Sequence, residues 1–144
     1  MQYILGFSSL IIIFLFIVYY TSNHQNLKNF LIISFFLRAI TLIANEFNLI
    51  NFPDSNSDTD YFYDKAIEYS RINGLSIIFD LLILDNLFYP KFISIFFSIF
   101  GESRMMAQSI GVAFGTACVY LVYRLSLILW DDRSAKKAAW VATF

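Results

Sequence analysis

The sequence predicts an all-α, polytopic transmembrane helical bundle with amphipathic juxtamembrane helices in one large external loop. Three observations carry this. The 144 residues are 58% hydrophobic and 19% aromatic, with a mean hydropathy of +0.63, whereas soluble domains have an apolar share near one half. Apolar runs recur at lengths that suit a hydrocarbon core of about 30 Å. Between them lies a polar stretch that holds most of the negative charge. The net charge of −1 lacks the basic footprint that neutralises phosphates, which excludes nucleic acid as a partner. Lipid or protein remains.

Residues 3–20 form an apolar run long enough to cross at 1.5 Å per residue. The start is uncharged and the end, Tyr19-Tyr20-Thr21-Ser22-Asn23-His24, offers no small-residue cleavage site, so a retained span is expected rather than a signal peptide. Residues 30–46 form a second, marginal span that ends at Asn45-Glu46, and residues 105–130 a third, which ends at Asp131-Asp132-Arg133. Lys28 lies in the first connection, and Arg133, Lys136 and Lys137 follow the third span with Arg124 just inside it. By the positive-inside tendency these ends are cytoplasmic, while the amino terminus and the loop 47–104 are external.

Within the third span Ala107, Gly111 and Gly115 recur every four residues, a small-residue stripe that lets another helix approach closely. Ser134 is the expected N-cap of a further helix from residue 135, favoured also by the charge of Asp131 and Asp132. That run reaches Phe144 after about 15 Å, short of a crossing. The chain is therefore expected to be the amino-terminal part of a larger membrane domain, inactive alone. Cys118 is the single cysteine, so no internal disulfide is possible.

The external loop carries the chemistry. It holds Asp54, Asp58, Asp60, Asp64, Glu68, Asp80, Asp85 and Glu102 against Lys65, Arg71, Lys91 and Arg104. The turn formers of residues 51–60 predict a loop that offers Asp58 or Asp60 as N-cap of a helix over 61–73, with Phe62, Ala66 and Tyr69 on its apolar face and Gly74 closing it. The stretches 75–89 and 92–100, separated by Pro90-Lys91, suit helices at the outer membrane face. Such a roof creates a half-wet cleft for an amphiphile. A carboxylate at its mouth can act as a general base toward a hydroxyl acceptor and offset an oxocarbenium-like charge. Asp58 is the leading candidate, and the alternative role for Asp58 and Asp60 is helix capping. Asp58-Thr59-Asp60 is also a literal D-x-D able to offer oxygen ligands to a divalent cation, but no third ligand is evident and no metal site is assigned.

Asp58, Phe62 and Ala66 resemble the aspartate, aromatic and small residue in the first external loop of GT-C glycosyltransferases of the protein O-mannosyltransferase and lipid A aminoarabinose transferase types. Those enzymes commonly follow the aspartate with glutamate, whereas this chain has Thr59 and then Asp60. Pro90, residues 92–100, Gly101-Glu102-Ser103, Met106-Ala107-Gln108-Ser109 and the turn Leu129 to Trp140 resemble the same family's order of short helix, polar turn, span and basic turn. The likeness covers about residues 30–144, and it implies a multi-pass protein of the bacterial inner membrane that moves sugar from a polyprenyl-phosphate carrier to a glycan, lipid or protein acceptor outside the cytoplasm. It makes Asp58 the catalytic carboxylate, with Asp60 beside it as a substrate-binding residue. Arg38, a charge at membrane depth, is expected to bind substrate through the lipid phosphate. The alternative is a non-catalytic membrane protein, such as a polysaccharide polymerase or flippase partner, whose acidic loop is solvated surface.

Overall fold

A computed structural model describes residues 2–22, 25–47, 49, 55–81 and 86–144; the side chains of residues 25, 26 and 55–59 lie outside that description. All regular structure among the described residues is helical: α1 (Gln2–Ser22), α2 (Gln25–Glu46), α3 (Ser55–Ile72), the short α4 (Ile77–Asp80) after a 3-10 turn, α5 (Phe88–Phe100), α6 (Arg104–Leu129) and α7 (Asp132–Thr143). Among the described residues three helical segments are long and apolar enough to span a membrane, Gln2–Ser22, Leu27–Glu46 and Arg104–Leu129.

Pairwise contacts set the directions of the spans. The Ser103 hydroxyl donates to the Gln2 carbonyl at 2.8 Å, Ser9 and Ser109 share a hydrogen bond of 2.6 Å, and the Tyr20 and Tyr120 rings meet edge to face at 5.4 Å. Partners therefore advance together, and α1 runs parallel to α6. α2 runs against α1, because Tyr3 stacks on Phe47 at one end while Phe14 meets Phe35 further along. α7 folds back along α6 and α2, its Trp140 ring against Phe30. One core joins these four helices through Leu10, Ile17, Phe35, Val112, Val119 and Ala139.

A second core unites α3 and α5 with the first turns of α6, through Ala66, Ile93, Phe97, Met106 and Ala107. This pair of helices sits at the end of the bundle where α6 begins. The Tyr63 ring meets Phe97 at 5.6 Å, and the Arg71 guanidinium donates to both Glu102 oxygens at 2.9 and 3.1 Å.

Three helix starts differ from sequence expectation. α3 begins at Ser55, so Asp58 and Asp60 lie inside the helix rather than at its cap. Carboxylates in the first turns complement the positive end of the helix dipole, which lets the helix extend upstream. α5 begins at Phe88, ahead of Pro90, because the first turn needs no N–H from proline. α7 is capped by Asp131, whose carboxylate accepts from the Ser134 N–H at 2.9 Å; Ser134 is therefore the donor, not the cap. Residues 82–85, within the expected juxtamembrane stretch, lie outside the described residues.

Candidate functional site

One face of α6 carries a stripe of polar and glycine positions. Arg104, Gln108, Gly111 and Gly115 follow at spacings of four, three and four, which at about 100° per residue is a single stripe. At its α3 end the Arg104 guanidinium bridges to Asp60 at 2.7 Å. Its Nε and the Oε1 of Gln108 are buried with no protein partner among the described residues. One turn on, the Tyr89 hydroxyl of α5 donates to the Ala107 carbonyl at 3.3 Å and lies 3.5 Å from where a Cβ on Gly111 would stand. Tyr89 is also met edge to face by Phe62 of α3 at 6.2 Å. An acceptor and a donor left open in a buried polar stripe are chemically fitted to a ligand rich in hydroxyls or to water, since an unmet buried polar group costs about 1–3 kcal/mol.

Gly115 hosts Arg38. A Cβ there would stand 2.6 Å from the Arg38 Nε, so only glycine leaves the side chain its place. The guanidinium donates to the Ser34 hydroxyl, to the Thr143 carbonyl at 3.2 Å and to the Ala142 carbonyl at 3.3 Å. Gly115 thus makes room for the Arg38 side chain, whereas a Cβ on Gly111 would meet the Tyr89 hydroxyl only in ordinary contact. The tightest helix approach is elsewhere, at Gly6 of α1, where a Cβ would stand 2.5 Å from Met105.

The predicted site residues fall at two levels. Asp60 pairs with Arg104, while Arg38 lies against Gly115, eleven residues or about 16 Å further along α6. The structure does not bring Arg38 to Asp60. Asp58 occupies the backbone position one turn before Phe62 and two before Ala66, and its side chain lies outside the described residues. Positions i and i+2 of a helix do not face each other, so the D-x-D as a helical segment does not suit a cation shared by Asp58 and Asp60. Sequence reasoning passed over Arg104, Gln108 and Tyr89; the four-three-four spacing of polar and glycine positions was the signal available for the α6 pair.

No protein-family model, no curated protein and no solved structure matches this chain.

Proposed function

We infer that the chain belongs to a membrane glycosyltransferase that moves a sugar from a polyprenyl-phosphate carrier to an acceptor at the outer face of a bacterial inner membrane. The supporting observation is the docking of the carboxylate-bearing helix α3 on the start of a spanning helix, through Asp60 and Arg104 at 2.7 Å beside the open polar atoms of Arg104 and Gln108. Asp60 thus stands beside the start of a candidate span, and in this reading that is the level at which a lipid-linked head group leaves the hydrocarbon. In this reading Asp58 takes the proton of the acceptor hydroxyl as its oxygen attacks the anomeric carbon, while the bond from that carbon to the carrier oxygen breaks and the polyprenyl phosphate leaves with the electron pair. Arg104, held by Asp60, and Gln108 orient the carrier phosphate and sugar hydroxyls. Arg38, engaged by the end of α7, supports the bundle.

Asp60 also favours a second reading: its carboxylate is used to fasten α3, as a purely structural acidic loop would require. Transfer from a radiolabelled polyprenyl-phosphate sugar in membranes that contain the protein separates the two. In the enzyme reading Asp58→Asn lowers transfer at least 100-fold with unchanged helix content, whereas unchanged transfer leaves the structural reading.

A further inference from the structure

The opposite face of α6 has its own stripe. Met106, Ala113, Ala117, Tyr120 and Arg124 succeed one another along it, and Ala113 stands nine residues from Arg104, half a turn round the axis. Two chambers open here. One of about 420 Å³ lies between α1, α5 and α6, bounded by Leu5, Ile13, Phe96 and Met106. The other, about 400 Å³, runs between Phe16, Leu31 and Tyr120. They share Ala113 and Phe114, so together they form one trough beside α1 from Leu5 to Tyr20, about 22 Å long.

The hydroxyls in this wall are already engaged. Ser9 and Ser109 share one hydrogen bond, and whichever hydroxyl accepts in it donates to its own helix carbonyl, Gly6 or Met106, while Ser8 bonds to Leu5 and Thr116 to Val112. A polar ligand therefore gains nothing here, whereas a hydrocarbon does. Spread over the rise of about 12 Å from Leu5 to Ile13, the first chamber has a cross-section of about 35 Å². That width takes a single hydrocarbon chain.

Charge settles the occupant. At the α7 end the Tyr20 and Tyr120 rings meet edge to face. Arg124 is exposed and makes no ion pair among the described residues. It stands one turn beyond Tyr120 on the stripe that lines the trough, so a chain lying there can end in a phosphate at its guanidinium. We propose that an anionic glycerophospholipid occupies this trough, one acyl chain between α1 and α6 and its phosphate at Arg124. Its phosphate end lies away from α3, and the site does not depend on the glycosyltransferase reading.

Native mass spectrometry of the whole chain, loaded with phosphatidylglycerol or phosphatidylcholine, tests this. Wild-type protein is expected to retain one phosphatidylglycerol about fivefold better than phosphatidylcholine, the effect of one basic residue near an anionic head group. Arg124→Gln removes the preference, Ala117→Phe obstructs the trough and lowers retention of both lipids, and Arg133→Gln changes neither. Arg124 and Ala117 are both exposed, so both variants keep the fold. Equal retention of the two lipids, a preference that survives Arg124→Gln, retention unaffected by Ala117→Phe, or displacement of phosphatidylglycerol by a polyprenyl phosphate would each overturn the proposal.

Discussion

Gly115 and Arg38 act as one unit. The side chain of the arginine fills the space a Cβ would take, and its donors meet the carbonyls of Ala142 and Thr143. Gly115→Leu is expected to displace the guanidinium and cost about 2 kcal/mol, from overpacking and lost charge-assisted bonds; detergent-denaturant titration followed by circular dichroism measures it. Ser103 likewise has two partners, accepting from the Met106 N–H at 3.2 Å and donating to the Gln2 carbonyl. Ser103→Ala should therefore lose about 1 kcal/mol as a cap and loosen the start of α1, seen as faster hydrogen exchange there. Sequence alone marked Arg38 as a charge at membrane depth and marked the small-residue stripe, but gave no means to see that one fits the other. Partners 77 residues apart are set by tertiary packing.

At the scale of elements, the spans were legible because an apolar run of bilayer length has few other uses. Helix starts were not, since capping depends on which of several neighbouring polar residues turns toward a free N–H. α7 illustrates this, with Asp131 as cap. The bond from Ser134 holds the Asp131 carboxyl below the usual carboxylate range, and the Lys136 and Tyr123 side chains do the same for Asp132. Their folded pKa values lie below the unfolded value of about 3.9, so their stabilisation is present above that pH and fades as pH falls through the folded values. Acidification from pH 7 to 3 is expected to fray the start of α7, reported by Trp130 and Trp140 fluorescence. Asp131→Asn keeps a capping acceptor and should flatten part of that response. α3 is held otherwise, by Ala66 sealed among Ile93 and Phe97 more than by its ion pair from Arg71, which is exposed on the surface. Ala66→Phe should release α3 at a cost of about 1–3 kcal/mol, with limited proteolysis between α3 and α5, while high salt should not.

For the whole molecule, the parallel run of α1 and α6 against α2 puts Gln2, Phe47 and Ser103 at one end, and Tyr20, Tyr120 and Asp132 at the other. An external acidic loop and a basic internal turn, as the sequence leads one to expect, would need this arrangement, with a single crossing by α6 between them. The transferase reading needs α3 outside the cytoplasm. Sidedness is thus the claim on which it depends. With Cys118 replaced by alanine, single cysteines at Glu68 on α3 and at Lys137 on α7 can be labelled in intact cells by a membrane-impermeant maleimide. Glu68→Cys is expected to be labelled from outside and Lys137→Cys only after lysis; labelling of Lys137→Cys in intact cells with Glu68→Cys protected would contradict this sidedness.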